Sequence, residues 1–111
     1  MTFTRACSVA EVASGSVLAV DVDGTDVAVV HDGDDWYAVA DECSHAAIPL
    51  SEGEVEGCEI ECWLHGSRFD LRTGKPTGLP ATEPVATFPA EIRGGDIYVD
   101  ITTTLNGVTP Q

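Results

Sequence analysis

The chain carries two short segments in which a histidine closely follows a cysteine. These segments are Cys43-Ser44-His45 and Cys62-Trp63-Leu64-His65, and residues 46–61 separate them. Thiolate and imidazole groups are common metal ligands, and the short spacing lets each segment direct both side chains to one point. Glycine and proline follow both segments, which favours turns over helices. The sequence therefore predicts a metal site built from two cysteines and two histidines.

Two kinds of metal site fit this ligand set. A tetrahedral zinc site accepts two cysteines and two histidines, although structural zinc sites usually group cysteines in one pair and histidines in another. A mixture of one cysteine and one histidine in each segment also suits a binuclear iron cluster, in which one iron binds the thiolates and the other binds the imidazoles. The residues alone leave zinc open as an alternative.

The pattern resembles the Rieske family, in which Cys-x-His is followed, after a spacer of similar length, by Cys-x-x-His. The likeness continues through residues 45–50, 65–70 and 82–85 and through the last strand, so it covers nearly the whole chain. The resemblance implies one 2Fe-2S cluster, with cysteines on the buried iron and histidines on the outer iron. Its ligands would be Cys43, His45, Cys62 and His65.

The same resemblance gives roles to four positions near the ligands. In high-potential members a serine and a tyrosine hydroxyl donate hydrogen bonds to cluster sulfurs, which raises the reduction potential. Ser67 matches the serine, but Phe69 replaces the tyrosine, so a potential toward the low end of the Rieske range is expected. Pro80 lies in a stretch similar to the loop that shields the cluster. Trp63, where many relatives have proline, could dock a partner or cover the cluster.

The rest of the sequence predicts short strands separated by turns, without a helical period. Three valine-rich strands are expected first, and a final hairpin is expected around Gly94-Gly95. The predicted strands are residues 17–22, 26–30, 36–40, 88–92 and 97–101.

These elements predict an all-β fold, a Rieske-like antiparallel β sandwich or barrel with an inserted cluster-binding subdomain. The subdomain would occupy about residues 41–83 within a single Rieske domain over residues 1–105. Residues 106–111 would form a loose C-terminal tail.

Three residues outside the motif could carry chemistry, and for each a structural role is preferred. Cys58 alternates with Ile60 and Cys62 along a predicted strand, so it is expected to be a small core residue, as is Cys7. His31 precedes an acidic turn and is expected to be solvated. The extra cysteines of membrane-anchored Rieske proteins are replaced here, so no disulfide is expected beside the cluster.

Charge and hydropathy limit the partners that the protein can have. The chain has 19 acidic and 5 basic residues and a formal net charge of −14, which disfavours nucleic acid and anionic membranes as partners. Transient protein partners with basic docking patches are expected instead. No stretch reads as a signal peptide or membrane span, so a cytoplasmic protein is expected.

The resemblance implies a soluble Rieske ferredoxin, an electron carrier rather than an enzyme. It would pass one electron from a reductase to the terminal oxygenase of an aromatic-ring-type, non-haem iron dioxygenase system. An oxygenase subunit would need a second iron centre with two histidines, and only His31 remains outside the motif. The alternative functions are a ferredoxin that serves an iron–sulfur cluster assembly scaffold and, in a different class, a structural zinc module for protein interaction.

Overall fold

The computed structural model describes residues 3–33, 35–41, 49–62, 67–77 and 83–108. In this part of the chain every strand pairing is antiparallel, which confirms the predicted all-β architecture. Its strands are β1 (Thr4–Ser8), β2 (Ser16–Val22), β3 (Thr25–Asp32), β4 (Asp35–Ala40), β5 (Val55–Glu56), β6 (Glu59–Glu61), β7 (Arg68–Asp70), β8 (Thr87–Phe88), β9 (Ala90–Arg93) and β10 (Asp96–Val99).

The strands form three sheets. A four-stranded sheet has the order β2-β3-β4-β8, and two three-stranded sheets have the orders β1-β10-β9 and β5-β6-β7. Two single-turn 3-10 helices, Val9–Glu11 and Leu50–Glu52, lie between strands. Among the described residues, no helix has both the length and the apolar character needed to cross a membrane.

The hairpin of β2 and β3 follows from its turn residues. Val22 pairs with Thr25, so Asp23 and Gly24 alone connect the two strands. Both have positive φ, 50° and 85°, as a type I′ turn requires. The Asp21 carboxylate accepts a hydrogen bond from the Gly24 amide at 2.7 Å. The turn predicted at this position and the three predicted valine-rich strands are confirmed.

Strand β3 is buried on both faces. Residues 27–30 are all fully buried, and they alternate between two hydrophobic clusters. Ala28 and Val30 face an inner cluster formed with Leu50, Ile60, Cys62, Phe69, Leu71 and other residues. Val27 and Val29 face an outer cluster formed with Cys7, Val22, Phe88, Ile97, Val99 and other residues. The four-stranded sheet thus lies between two hydrophobic clusters. One cluster includes residues of the β5-β6-β7 sheet, which leads to Cys62, and the other includes residues of the β1-β10-β9 sheet.

The predicted final hairpin is correct at its turn and wrong at its ends. Gly94 and Gly95 connect β9 and β10, but Phe88 lies in β8, where it pairs with Ala38 of the four-stranded sheet. Pro89 separates the two strands because proline has no amide hydrogen with which to continue a ladder. Its carbonyl accepts a hydrogen bond from the Asp100 amide at 3.1 Å, just after β10 ends.

A close backbone approach explains the glycine that precedes β5. A Cβ atom at Gly53 would lie 1.6 Å from the carbonyl oxygen of Glu61, the residue directly before Cys62. Gly53 has a φ of −90°, so the absence of a side chain, and not a left-handed backbone, is what this position requires.

We predict that Gly53→Ala lowers the free energy of unfolding by about 3 kcal/mol, because the new methyl group must push β6 aside. Gly15→Ala is the matched control. Gly15 has a φ of +83° and open space around it, so its cost is left-handed strain of about 1–2 kcal/mol. Urea unfolding of both variants measures the difference. A Gly53→Ala cost no larger than that of Gly15→Ala would contradict the steric explanation.

Candidate metal centre

The structure describes part of the site expected from sequence. Cys62, Ser67 and Phe69 lie in the described ranges. Within those ranges no three ligand-type side chains converge on one point. The other residues assigned to the site lie outside the described residues: Cys43, His45, Trp63, His65 and Pro80.

Cys62 directly follows strand β6 and lies in the inner hydrophobic cluster. Its side chain is fully buried and it forms no disulfide with another described cysteine. Its amide donates a hydrogen bond to the carbonyl of Ser67 at 2.6 Å, which brings together the two ends of residues 63–66. The backbone amide of the preceding residue, Glu61, donates a hydrogen bond to the carbonyl of Glu54 at 2.8 Å. The backbone that leads into this thiol is therefore held in place.

Phe69 lies in the neighbouring strand β7, and Ser67 directly precedes that strand. Both side chains are fully buried. Phe69 pairs with Ile60 across the sheet and forms an isolated bridge with Pro76, so its ring belongs to the inner cluster. Ser67 therefore places a buried hydroxyl shortly after the second ligand segment. Phe69 places a buried ring there that has no hydroxyl.

The stem of the first ligand segment is closed by Asp41 and Ser51. The amide and the hydroxyl of Ser51 each donate to the Asp41 carboxylate at 2.7 Å. The Asp41 amide donates in turn to the carbonyl of Asp26 at 3.1 Å, which anchors the stem to the start of β3. Hydrogen bonds to an ionised carboxylate are among the stronger ones in proteins. Asp41 and Ser51, on either side of residues 42–50 in sequence, are thus linked to each other and to strand β3.

A third stem is closed on strand β7. The Thr77 amide donates to the carbonyl of Arg68 at 2.7 Å, and the Val85 amide donates to the carbonyl of Gly74 at 2.8 Å. Residues 78–82, which include the position of Pro80, lie between these contacts. Two of the three stems therefore depend on residues 67–77, which directly follow the second ligand segment.

Arg68 forms ion pairs with two acidic residues of strand β6, Glu59 and Glu61. Its guanidinium lies 2.9 Å from a Glu59 carboxylate oxygen and 3.6 Å from one of Glu61, and it also donates to the carbonyl of Glu56 at 3.3 Å. Glu52, Glu54 and Glu56 are exposed. The sheet therefore presents a strongly acidic edge in which one cation neutralises part of the charge.

Cys58 differs from its expected place in a strand. It occupies the second position of the two-residue turn between β5 and β6, with a φ of +62°, and it is half-buried. The prediction of a core strand residue was therefore wrong in position, because β6 begins at Glu59. Its thiol donates to the hydroxyl of Tyr37 at 3.4 Å, and its carbonyl accepts from the Leu71 amide at 3.0 Å. Tyr37 was missed from sequence, since nothing local links it to Cys58. Cys7 is buried as predicted.

His31 is also less solvated than its neighbours in sequence suggested. Its ring stacks on Trp36 with centroids 4.0 Å apart and an interplanar angle of 10°. Nδ1 donates to the carbonyl of Val12 at 3.0 Å. The prediction of a solvated turn histidine was wrong because His31 lies in β3, opposite Trp36 of β4. Cross-strand pairing, and not the acidic turn, decides its surroundings.

Comparison with known proteins identifies the family. The sequence model of the Rieske [2Fe-2S] domain matches residues 2–89. The chain belongs to the Rieske [2Fe-2S] family. A relative of this Rieske chain, the 3-phenylpropionate/cinnamic acid dioxygenase ferredoxin subunit of Escherichia coli (strain K12), is 42% identical over 97 residues, which are 86% of this chain and 91% of the relative.

Solved structures agree with the family and with the fold. The ferredoxin of carbazole 1,9a-dioxygenase from Nocardioides aromaticivorans IC177 is 39% identical, with a TM-score of 0.84 and full coverage of both chains. A chain in the complex of reduced oxygenase and oxidized ferredoxin in carbazole 1,9a-dioxygenase is 36% identical, with a TM-score of 0.82 and coverage of 87% of this chain and 91% of that one.

The described residues fit the cofactor of a Rieske protein. The family match supports an iron–sulfur cluster and not a zinc site as the cofactor. Cys62 offers a buried thiol without a disulfide partner among the described cysteines, and sulfur is the ligand that iron–sulfur clusters require. A fixed backbone around that thiol and a buried hydroxyl at Ser67 suit a cofactor that must be oriented and kept from water.

Tyr37 provides a pH-dependent test of the contact with Cys58. The hydrogen bond with Cys58, followed by burial, raises the pKa of Tyr37 from 10.0 to about 12. Between these values the folded protein holds the phenol proton that the unfolded chain has released, so this contribution to stability is present below pH 10 and is lost as the pH rises toward 12. Tyr37→Phe removes it.

We therefore predict that the stability lost between about pH 9 and about pH 11 is smaller in Tyr37→Phe than in the unmodified protein. Urea unfolding at the two pH values measures this loss, and phenolate absorbance follows the ionisation itself. Tyr98→Phe is the control, because it leaves the contact between Tyr37 and Cys58 unchanged. If a phenolate transition at high pH persists in Tyr37→Phe, the raised pKa does not belong to Tyr37.

Proposed function

We propose that this protein is a Rieske ferredoxin that carries one electron from a reductase to the terminal oxygenase of an aromatic-ring-type, non-haem iron dioxygenase system. The observation that carries the proposal is the match, over the full length of both chains, to the ferredoxin of carbazole 1,9a-dioxygenase. The relative from Escherichia coli, which is also named as a dioxygenase ferredoxin subunit, supports it. The protein is then an electron-transfer component in the cytoplasm, and oxygen chemistry belongs to its partner.

One 2Fe-2S cluster is proposed as the cofactor. The cysteines would hold one iron and the histidines the other, and when bound the cluster would take up and release one electron. The burial of Cys62 supports its place on the inner iron. The ligands would be Cys43, His45, Cys62 and His65.

The residues around Cys62 would prepare the site for the cluster. The hydrogen bond from the Cys62 amide to Ser67 and the contacts of Asp41 with Ser51 fix where each ligand segment begins and ends. The inner hydrophobic cluster keeps water from the thiol side of the site. A backbone that is already fixed needs little rearrangement when the oxidation state changes, which favours rapid electron transfer.

The division of the chain follows from the same proposal. Residues 1–105 would form one Rieske domain, with a cluster-binding subdomain at about residues 41–83. The side chain of Asn106 bonds to Thr73 and Val85, so we do not propose a loose tail from residue 106 onward. The β5-β6-β7 sheet, over residues 55–70, supports a distinct subdomain in this region. Pro80 would shield the cluster, and Trp63 is proposed to lie where a partner docks.

The acidic edge beside Cys62 suggests how partners are recognised. Glu52, Glu54 and Glu56 are exposed there, and the whole chain has a formal net charge of −14. Reductase and oxygenase would each present a basic patch to this edge. Long-range attraction speeds encounter and weakens as salt is added, which suits a carrier that must bind and leave repeatedly.

The proposed function is tested by rebuilding the electron-transfer chain. We predict that a reductase and an aromatic-ring dioxygenase oxygenase turn over only when this protein is added, and that turnover falls as salt is raised from low to high concentration. The control is Cys43→Ala, which should abolish turnover. Turnover that does not depend on the added protein, together with binding to a cluster assembly scaffold, would replace this function with the assembly role.

The ligand assignment is tested by spectroscopy on the variants. We predict two irons and two sulfides in each molecule and, after reduction with dithionite, the low average g value of an iron with histidine ligands. Cys43→Ala should lose the cluster, whereas His65→Cys should retain iron with an altered spectrum. An unchanged spectrum in Cys43→Ala would remove Cys43 from the ligand set, and zinc without a paramagnetic signal would remove electron transfer from the account.

Ser67 is expected to tune the reduction potential. A hydroxyl that donates a hydrogen bond to a cluster sulfur stabilises the added electron, so its removal in Ser67→Ala should lower the potential by about 40 mV, the one-electron equivalent of about 1 kcal/mol. Phe69→Tyr is the converse variant and should raise the potential if the new hydroxyl reaches the cluster. Protein-film voltammetry measures both changes. A potential that stays the same in Ser67→Ala would reduce Ser67 to a turn hydroxyl.

A further inference from the structure

Asn106, the only asparagine of the chain, makes four hydrogen bonds with its side-chain amide. Nδ2 donates to the carbonyls of Thr73 and Val85, each at 2.8 Å. Oδ1 accepts from the amides of Thr87 at 3.3 Å and Val108 at 3.2 Å. One side chain thus uses both donor hydrogens and accepts twice, which is the full capacity of an amide group.

Gly74 makes room for this amide. It is buried, with a φ of +74°, and a Cβ atom there would lie 2.6 Å from Asn106 Nδ2 and 2.1 Å from the carbonyl oxygen of Val85. A side chain at residue 74 would therefore displace both the amide and the backbone that it binds. The requirement for glycine at this position is independent of the hydrogen bonds, and it points to the same close contact.

The carbonyls bound by Asn106 lie on opposite sides of residues 78–82. Thr73 belongs to the stem that follows β7, and Val85 belongs to the stem that leads into β8. The first stem is tied to β7 by the Gly74 amide, which donates to the carbonyl of Asp70 at 2.7 Å. The second is tied to the first by the hydrogen bond between Val85 and Gly74. Asn106 adds a link from both stems to the C-terminal segment.

We propose that Asn106 is a positioning residue that fixes both stems of residues 78–82, the segment proposed above to shield the cluster, and that it thereby limits how far water reaches a bound cluster. The proposal rests on the proposed function in one respect, namely that a cluster is bound beside this segment. Residues 106–108 then serve as a structural clamp, although the sequence suggested a loose tail from residue 106 onward. The hydrogen bonds between Asn106 and the two stems do not depend on the cofactor.

The chemistry of the contact explains why an amide is needed. An aspartate at this position could still accept from Thr87 and Val108, but it could not donate to Thr73 and Val85, and its charge would face two carbonyl oxygens. An alanine would leave those carbonyls and the Thr87 amide without their side-chain partner. Asn106→Asp and Asn106→Ala therefore remove the clamp in different ways, one by repulsion and one by deletion.

The first measurement is hydrogen exchange on the holoprotein, read by mass spectrometry on peptides that cover residues 71–77 and 83–88. We expect exchange in these peptides to rise about tenfold in Asn106→Asp and Asn106→Ala, because two hydrogen bonds that close the stems are lost. Peptides from β3 should be unchanged. Thr103→Ala is the control in the same segment, and Ile97→Val is the control for a comparable loss of stability in the outer cluster.

The second measurement is the reduction potential of the same variants. We expect it to rise in both Asn106 variants and to stay constant in Ile97→Val, because water near the cluster stabilises the reduced, more negative state. Stem exchange that rises no more than in Ile97→Val would overturn the clamp. Faster stem exchange with an unchanged potential would overturn the positioning role. Failure to support an oxygenase would reject the proposed function without affecting either readout.

Discussion

Burial of strand β3 on both faces is the constraint on which the rest of the structure depends. Residues 27–30 alternate between two hydrophobic clusters, so each cluster receives half of this strand. A shift of β3 by one residue would exchange every one of these side chains between the two cores. The tight turn at Asp23-Gly24 prevents such a shift by fixing the register of β2 against β3. The position of Cys62 in the inner cluster is therefore tied to a hairpin that lies far from it in sequence.

The residues on either side of the three segments 42–50, 63–66 and 78–82 are joined by different interactions, and each such pair of flanking residues forms a stem. A carboxylate closes the first stem, where Asp41 accepts two hydrogen bonds from Ser51. A backbone hydrogen bond from Cys62 to Ser67 closes the second stem. A side-chain amide reinforces the third, through Asn106. Three chemically different contacts thus hold the framework around the candidate metal centre.

The sequence predicts the fold class well because valine-rich strands and Asp-Gly or Gly-Gly turns are local signals. It fails where long-range pairing decides. His31 stacks on Trp36 because β3 and β4 pair, and the acidic residues beside it in sequence do not show this. Phe88 leaves the final hairpin because Pro89 interrupts the ladder and β4 offers another partner. Asn106 was placed in a loose tail, because its partners Thr73, Val85 and Thr87 lie in segments distant in sequence. The motif itself is identified from its spacing, and its ligands remain a proposal.

The charges near Cys62 bear on which residues can set the potential under the proposed function. Reduction adds a negative charge to a protein that already has a formal net charge of −14. Arg68, beside Ser67, is the nearest cation in sequence, but its guanidinium is engaged by Glu59 and Glu61 at the protein surface. Solvent and these carboxylates screen its field, so it does little to stabilise an added electron. Hydrogen bonds from buried donors are not screened in this way. Under the proposed function, the hydroxyl of Ser67, which is fully buried, would therefore influence the potential more strongly than Arg68, and the acidic edge would act mainly on the encounter with partners.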